Sequence, residues 1–312
     1  MQGSVSALEQ LGLPASDELA RSSERFLDDG QYRLEVPSTE GPRAFYAVLE
    51  AAKEFGCPVH RVSQGSGIQM LSDSEIREMA RMGAAESIEV CLFVTPRANF
   101  DIGALWSAPA GKMVQWQVRG AQQLRYALDD VFRACDLGIR SVLIADLGLM
   151  AVVNDLRAGG GLPKNLVVKS SAVMAPANPA TCRLFERTGA NTINVATDLS
   201  VAQLGAIRQA VKSPLDIYVE APDGLGGFVR HHEVPAIIDA ASPIYVKLGL
   251  RNAPDIYPSG AHIESVVLAL SRERVRRTRL VLDLIEREEP EAKMSPVRAA
   301  GPHPADLGVP EI

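Results

Sequence analysis

The stretch Thr192–Glu220, TINVATDLSVAQLGAIRQAVKSPLDIYVE, runs from one β-rich segment through a helix-like segment into a second β-rich segment. Thr192–Ala196 and Asp216–Glu220 are rich in β-branched and aromatic residues, whereas Val201–Val211 spaces its apolar residues as a helix does. A helix between two such segments is typical of a βαβ unit, in which the two strands are parallel.

The same alternation extends along the chain in both directions. It predicts eight strands, at Tyr32–Val36, Val59–Ser63, Glu89–Thr95, Val142–Asp146, Leu166–Ser170, Thr192–Ala196, Asp216–Glu220 and Ile244–Leu248. Eight units of roughly 25–30 residues match the size of a (β/α)8 TIM-type barrel. The alternative, a doubly wound open sheet, usually has a glycine-rich turn after its first strand, and VPSTEGPR (residues 36–43) matches such a turn poorly. We therefore predict an α/β fold with a single closed barrel.

Three regions divide the chain. Residues 1–30 form an N-terminal extension of one or two short helices that closes the amino end of the barrel, and residues 31–288 form the barrel itself. Residues 289–312 are rich in Pro and Ala and lack periodicity, which predicts a disordered C-terminal tail. The long connection after the third strand holds both tryptophans within residues 101–119, which form either a substrate-covering lid or a packed surface excursion.

Composition excludes several classes of protein. The 312 residues are 46% hydrophobic and 22% charged with a formal net charge of −6, which is typical of a globular protein and disfavours nucleic-acid binding. The first residues lack the pattern of a secretory signal, so none is expected, and no apolar run approaches the roughly 18 residues of a membrane span. The four cysteines, Cys57, Cys91, Cys135 and Cys182, form no CxxC pair, so we expect reduced thiols and no iron–sulfur cluster. We expect a soluble, cytoplasmic protein, and a homo-oligomer stays possible.

Charged side chains alternate with apolar ones in the predicted strands. Because the apolar set must face the helices, the charged set must face the barrel interior. The residues predicted to point inward near the carboxyl ends are Glu35, Asp146, Lys169, Asn194, Glu220 and Lys247. The second strand is ambiguous, since either Arg61 and Ser63 or His60 and Val62 face inward. Buried ionisable groups must pair, bind a ligand or shift their pKa, and in barrels the carboxyl ends of the strands carry the active site.

Four of these residues are candidate catalytic groups, namely Lys169, Lys247, Glu35 and Glu220. A buried lysine near another cation can act as a general base or as a Schiff-base amine, but each lysine could equally pair with a carboxylate and bind an anion. The two glutamates could be general acids or bases. With Asp146 they could instead ligate Mg²⁺ or Mn²⁺, whereas no HxH or HExxH motif supports zinc. Lys247 and Glu220, from neighbouring strands, are expected to meet.

A second set of polar residues is expected to bind the substrate. Ser63 and Gln64 follow the second strand as hydrogen-bond partners, and as a nucleophile Ser63 lacks an evident base. Arg251, in the loop after the eighth strand, could hold a carboxylate or phosphate with two hydrogen bonds. The full predicted set is Arg61, Ser63, Gln64, Arg97, Asp146, Asn194, Arg251 and Asn252.

Four segments give the chain a resemblance to a known family. In order, EVPSTEGPRAFYAVLEAAKEFG, PVHRVSQGSG, GANTINVATDLS and KLGLRNAPDIYPSG resemble bacterial proteins of the U32 peptidase group, over about residues 30–290. The resemblance implies a barrel-like fold and either peptidase activity or a hydroxylation-type modification. Members of the hydroxylation type have a cysteine-rich signature that holds an iron–sulfur cluster, and this chain lacks that signature. No nucleophile–base pair or metal motif supports the peptidase activity.

These patterns predict an enzyme that acts on a small anionic metabolite by acid–base or lysine-based chemistry, as a lyase, aldolase or isomerase. One alternative is a U32-like hydrolase or modifying enzyme, and another is a non-catalytic ligand-binding or partner subunit. No cofactor is predicted, although Mg²⁺ or Mn²⁺ stays possible. A deep pocket lined by Glu35, Lys169, Glu220 and Lys247 would favour the enzyme, and a centre filled by its own ion pairs would favour the subunit.

Overall fold

A computed structural model describes residues 3–101, 103–297 and 308–311, and it contains a closed, all-parallel eight-stranded barrel. The strands are β1 Tyr32–Pro37, β2 Arg61–Ser63, β3 Glu89–Phe93, β4 Ser141–Ile144, β5 Val167–Ser170, β6 Thr192–Asn194, β7 Leu215–Glu220 and β8 Ile244–Leu248. Each strand pairs with the next in the sequence, and β8 pairs with β1 to close the ring. The prediction of a single (β/α)8 barrel is confirmed.

Helices surround the strands. They are α1 Ser4–Gln10, α2 Pro42–Phe55, α3 Asp73–Glu86, α4 Gly120–Asp136, α5 Leu147–Ala158, α6 Pro179–Arg187, α7 Val201–Ala210, α8 Val234–Ala241 and α9 Glu264–Glu288. α1 precedes the barrel, and each of the other helices follows one strand. Over the described part of the chain, no helix is both long and apolar enough to cross a membrane.

The main hydrophobic core lies between the strands and the helices. Outward strand residues such as Leu34, Val62, Val168 and Val246 are fully buried there against helical side chains. Burying an aliphatic side chain of this size contributes about 1.5–3 kcal/mol. The alternation of side chains along the strands leaves most of their polar residues on the inner face, which is the face that forms the site.

Pairing between β1 and its two neighbours fixes the height of the inner residues. Glu35 lies opposite Arg61 of β2 and opposite Lys247 of β8. Side chains at paired positions of neighbouring strands point to the same face, about 4.8 Å apart along the hydrogen-bonding direction. The register therefore brings these three charges together inside the barrel.

The amino end of the barrel is covered by both ends of the chain. The ring of Phe26 meets that of Tyr245 edge-on, with centroids 5.4 Å apart. The tail was expected to be disordered, and this is wrong for the parts of it that the structure describes, residues 289–297 and 308–311. Met294 forms a β-bridge with Tyr32, and the backbone N–H of Glu311 donates to the carbonyl of Gly138 at 3.0 Å. Backbone hydrogen bonds to the barrel therefore order these residues, although their side chains show no helical or strand periodicity.

Candidate functional site

Glu35 is the centre of a charged cluster inside the barrel. Its Oε1 accepts a hydrogen bond from Ser63 Oγ at 2.6 Å and lies 3.3 Å from Lys247 Nζ. Its Oε2 lies 3.1 Å from Arg61 Nη1 and forms an ion pair with Lys169. Four neighbours from three other strands thus share one carboxylate.

Two further carboxylates complete this cluster. Asp216 Oδ1 lies 2.7 Å from Arg61 Nη1, and its Oδ2 lies 3.7 Å from Lys169 Nζ and accepts from Thr192 Oγ1 at 2.9 Å. Glu89 Oε2 lies 2.7 Å from Arg61 Nε. We refer to the six residues Glu35, Arg61, Glu89, Lys169, Asp216 and Lys247 as the ionic layer. Its three carboxylates and three cations are all buried, and their formal charges cancel.

Burial and the neighbouring charges of the ionic layer shift the pKa values of Glu35 and Lys169. Burial by itself raises the pKa of Glu35, but the charges of Lys169, Lys247 and Arg61 together hold that pKa well below its ordinary value. Burial lowers the pKa of Lys169, against the opposing attraction of Asp216 and Glu35. Glu35 is therefore a stable carboxylate at neutral pH and a weak proton acceptor.

A cavity of about 510 Å³ lies above the ionic layer, at the carboxyl ends of the strands. Its wall includes Lys247, Ser63, Asn194 and Tyr218, whereas Glu35 and Lys169 do not line it. The Lys247 amine thus lies at the boundary between the ionic layer and the cavity. Its Nζ is 4.3 Å from the centroid of the Tyr218 ring. With the Asn194 amide oriented by its hydrogen bonds, the amide oxygen accepts from Lys247 Nζ at 2.9 Å.

Arg97 forms one wall of this cavity. Its guanidinium lies over the rings of Phe93, Phe100 and Trp116, at 4.5, 4.1 and 4.8 Å from their centroids. Nη2 donates to the carbonyl of Gly65 at 2.7 Å. Nε is buried and has no hydrogen-bond partner among the described residues. Burial lowers the pKa of Arg97 to about 10.

A second buried arginine, Arg274 of α9, lines the same cavity. Its Nε and Nη1 are buried without a hydrogen-bond partner within the described chain. Burial lowers its pKa, against the influence of Tyr257, Glu40 and Tyr218. Sequence reasoning missed this residue, which lies in the charged run RERVRRTR (residues 272–279). A signal was present, because Arg274 shares the helical spacing of the buried residues Val267, Ser271, Thr278 and Val281.

The structure brings most of the predicted residues together. The ambiguity in the second strand is resolved, since Arg61 and Ser63 face inward and Val62 packs against the helices. The residues that meet in the ionic layer or the cavity wall are Glu35, Arg61, Ser63, Arg97, Lys169, Asn194 and Lys247.

Glu220 does not meet Lys247, so that expectation is wrong. A β-bulge between Tyr218 and Glu220 inserts an extra residue into β7, which leaves Glu220 opposite Leu248 and turns its side chain out of the barrel. Its carboxylate accepts from the backbone N–H of Arg251 at 2.7 Å and contacts His231 Nε2 at 3.1 Å. It also forms an ion pair with Arg277 of α9.

Asp146 does not point into the barrel either. β4 ends at Ile144, and the inner residues of that strand are Ser141 and Leu143, so Val142 and Ile144 face the helices. Asp146 instead caps α5, where Oδ1 accepts from the backbone N–H of Leu149 at 2.9 Å. Since Glu35, Asp146 and Glu220 lie apart, the structure does not assemble them as shared metal ligands. Elsewhere in the described residues, no group of three or more His, Cys, Asp or Glu side chains has the arrangement of a metal site.

The three other predicted binding residues have mainly structural contacts. Gln64 lines the cavity, but its amide bonds both the N–H and the carbonyl of Gly67, at 3.0 and 2.9 Å. Arg251 and Asn252 are exposed on the loop after β8. Arg251 Nε lies 3.7 Å from Asp223, and the N–H of Asn252 donates to the same carboxylate at 2.6 Å.

The segment 101–119 is a candidate lid. Trp116 lines the cavity and stacks at a tilt against Phe93, with centroids 6.1 Å apart. Trp106 Nε1 donates to the carbonyl of Asp101 at 3.3 Å, within the segment itself. One tryptophan therefore belongs to the cavity wall and the other to the packing of the segment. Ile102 lies outside the described residues.

Comparison with known proteins gives one family match. The model of peptidase family U32 matches residues 115–221. No curated protein matches the sequence. Among solved structures, the U32 peptidase Mk0906 is 16% identical, with 76% of this chain and 98% of that chain covered and a TM-score of 0.41. A putative lyase/mutase from Burkholderia cenocepacia J2315 is 12% identical, with 89% and 90% covered and a TM-score of 0.45.

A third similar structure is a truncated 3-deoxy-D-arabino-heptulosonate 7-phosphate synthase from Thermotoga maritima. It is 13% identical, with 82% of this chain and 88% of that chain covered and a TM-score of 0.43. The family match extends from just before α4 to just after β7, which is about one third of the chain. Over residues 115–221, the resemblance of this chain to peptidase family U32 is confirmed.

Proposed function

We propose that this protein is an enzyme that binds a small anionic metabolite in the cavity and acts on it through the amine of Lys247. The chemistry is acid–base or lysine-based, of the lyase, aldolase or isomerase type. One observation carries the proposal: Lys247 belongs to the ionic layer but also lines the cavity, whose wall includes the buried cations Arg97 and Arg274.

Lys247 is held in a position from which it can exchange a proton with a ligand. An ammonium has three N–H donors, and Glu35 Oε1 at 3.3 Å and the Asn194 oxygen at 2.9 Å account for two of them. The third donor is available to a substrate oxygen in the cavity. After it has given up a proton, the amine can accept one from a substrate carbon or attack a carbonyl. Glu35 pairs with this amine from below the cavity.

A hydrolase is the second candidate, because Ser63 lines the cavity and its hydroxyl donates to Glu35 at 2.6 Å. A serine nucleophile needs a base that can take its proton. The pKa of Glu35 lies well below its ordinary value, so Glu35 performs this task poorly. Lysine chemistry is therefore the better supported of the two.

A non-catalytic subunit is the third candidate, and it is favoured by the self-neutralising ionic layer. The cavity above that layer favours the enzyme. The predicted lack of an iron–sulfur cluster stays a prediction, as does the possible role of a divalent metal ion.

The test of the enzyme is proton exchange at carbon. A panel of 2-oxo and 2-hydroxy carboxylates and inorganic phosphate is screened by thermal shift, and the acids that bind are incubated with the protein in D₂O. We expect NMR to show exchange of a substrate C–H for deuterium with the wild-type protein, and no exchange with Lys247→Met. The variant should unfold cooperatively with a loss of about 1–3 kcal/mol, because Glu35 keeps Arg61, Lys169 and Ser63 as partners.

The control is Arg287→Met, an exposed residue of α9 that pairs with Glu288. It should leave both binding and exchange unchanged. Binding without exchange in the wild-type protein would support the subunit instead. Unchanged exchange in Lys247→Met would rule out Lys247 as the reacting group.

A further inference from the structure

The two cavity arginines reach the cavity from different elements of the fold. Arg97 follows β3 and is held by the loop after β2, where it donates to the carbonyls of Gly65 at 2.7 Å and Ser66 at 3.3 Å. Arg274 extends from α9, where burial lowers its pKa against the opposing influence of Tyr257, Glu40 and Tyr218. Lys247 lies over the Tyr218 ring on the floor of the cavity. The three cations thus line one cavity, and Arg97 and Arg274 both lie near Tyr257 and Glu40.

Neither guanidinium is satisfied by the protein. A guanidinium has five N–H donors, and a buried charge without partners is costly. Arg97 and Arg274 have no carboxylate within ion-pair distance among the described residues, and both keep buried donors without partners. The aromatic rings around Arg97 offset only part of this cost. Two buried arginines without ion pairs to described residues in one cavity, each costly in folding free energy, indicate a ligand that pairs with both.

The nearby carboxylates do not remove this need. Glu40 accepts from the backbone N–H groups of Gly65 at 2.7 Å and Ser66 at 2.9 Å, and burial raises its pKa towards the neutral form. Asp223 and Asp255 line the cavity at its exposed rim, where water screens them. Asp223 is also engaged by Arg251.

We propose that the ligand carries two separate anionic groups, one held by Arg97 and the other by Arg274, with the carbon that joins them above Lys247. The inference rests on the proposed function and names the substrate class: a dicarboxylate, or a carboxylate that also bears a phosphate. Guanidinium groups match both oxyanions, because their fork makes two parallel hydrogen bonds. The spacing of the two anionic groups then selects the substrate.

The experiment compares dianions with matched monoanions by calorimetry. The probes are succinate, glutarate and adipate, the monomethyl ester of each, and 3-phosphoglycerate. We expect at least one dianion to bind about 10- to 100-fold more tightly than its half-ester, the range set by one charge-assisted interaction. The dicarboxylate and phosphoglycerate arms separate the two possible sources of the second charge.

Two variants locate the anionic groups. Arg97→Met and Arg274→Met should each weaken the dianion to the level of its half-ester, while Arg287→Met leaves it unchanged. Ligand-free Arg274→Met should be as stable as the wild-type protein or more stable, because it removes a buried charge that has no ion pair within the described part of the chain. Ligand-free Arg97→Met also loses the hydrogen bonds to Gly65 and Ser66 and should be somewhat less stable, so the stability test applies to Arg274. A structural role for Arg274 would instead destabilise the protein when it is replaced. Should either variant fail to fold, Arg97→Lys or Arg274→Lys keeps the charge but loses the two-pronged geometry, and should weaken the dianion about tenfold.

The outcomes separate this inference from the proposed function. Half-esters that bind as tightly as dianions, or a dianion that is insensitive to one of the arginines, would overturn the two-anion ligand while leaving the chemistry of Lys247 intact. Failure of every carboxylate and phosphate probe to bind would overturn the proposed function itself.

Discussion

His60 uses both of its ring nitrogens in a way that only the neutral ring allows. Nδ1 accepts the backbone N–H of Leu34 at 3.1 Å, and Nε2 lies 2.9 Å from the carbonyl of Ser295, to which it donates. Burial lowers the pKa of His60 to about 4, from an ordinary value of 6.5. A proton on Nδ1 would break the bond to β1. The residue therefore joins β1 to the tail as long as it stays uncharged.

This arrangement predicts a loss of stability in mild acid. Because the unfolded chain binds a proton at His60 from about pH 6.5 downwards and the folded chain does not, the free energy of unfolding falls as the pH falls towards the folded pKa. We expect His60 to remove about 2 kcal/mol between pH 7 and pH 5. His60→Gln should be less stable at pH 7 but should lose about 2 kcal/mol less over the same interval, as measured by urea unfolding.

The comparison with His60→Gln separates the histidine from the carboxylates, which both proteins share. The pKa of Glu35 is depressed in the folded state, so its contribution is fully present above its ordinary pKa and is lost only at lower pH. Equal pH dependence in the wild-type protein and His60→Gln would show that the His60 ring is already able to charge in the folded state.

At the scale of elements, the bulge in β7 moves Glu220, a predicted catalytic residue, to a position where it anchors the loop after β8. Glu220 accepts from the N–H of Arg251 and pairs with Arg277, and so joins the loop after β8 to α9. In that loop Leu250 and Asn252 have φ of 62° and 58°. The left-handed region costs a non-glycine residue about 1–2 kcal/mol, so the conformation needs support from its contacts. The same loop contributes Ile256 and Tyr257 to the cavity wall.

The change Glu220→Gln tests whether Glu220 anchors this loop. It keeps the shape of the side chain but removes its charge, so we expect a loss of about 1.5–3 kcal/mol in stability and faster amide exchange in residues 250–257. Affinity for the bound acid should fall severalfold, while the rate of proton exchange at saturating ligand stays unchanged. Glu288→Gln, which alters an exposed partner of Arg287, is the control. Loss of substrate proton exchange, with unchanged amide exchange in residues 250–257, would instead support the catalytic role of Glu220 that the sequence suggested.

Alternation along a strand predicted the inner residues correctly where one face was clearly apolar. Leu34 and Val246 fixed the outward face of β1 and β8, and so placed Glu35 and Lys247 inside. In β4 every residue is buried, so polarity could not separate the two faces, and counting back from Asp146 gave the wrong one. In β7 the bulge shifts the count by one residue, and the letters DIYVE carry no sign of it. Strand number and order were predictable, but local register was not.

At the scale of the whole molecule, the charges of the barrel interior are arranged in two levels. The formal charges of the ionic layer cancel among six residues from six different strands. Counting alternate positions along the strands could identify each of them as inward-facing. Arg274 lies in a helix, so a count along the strands could not find it, and only its helical spacing with the buried residues of α9 pointed to it. The ion pairs of the ionic layer stabilise the barrel interior. The cavity arginines above it have no ion pair in the part of the chain that the structure describes, so a ligand can supply their anionic partners.

The last feature at this scale is the closure of the amino end by residues 308–311. Gly308 has φ of 81° and lies so close to Glu89 that an added Cβ would come within 2.8 Å of that side chain. Glu311 forms an ion pair with Arg140 at 2.9 Å and accepts from Asn165 Nδ2 at 2.7 Å. The segment therefore covers Glu89, one of the three carboxylates of the ionic layer, from below.

Truncation after residue 307 should uncover this end without touching the cavity. We expect a loss of about 1–3 kcal/mol in the free energy of unfolding, from the backbone bond to Gly138, the contacts of Glu311 and the wetting of Glu89. Gly308→Val should lose a similar amount, because a β-branched residue is strained at positive φ and meets Glu89. Both changes should leave the affinity for the bound acid within about twofold, since the cavity lies at the opposite end of the barrel. Urea unfolding and calorimetry on the same samples check both expectations. A truncated chain that is as stable as the full chain would show that the amino end is closed without this segment, and a large loss of affinity would show that the two ends of the barrel are coupled through the ionic layer.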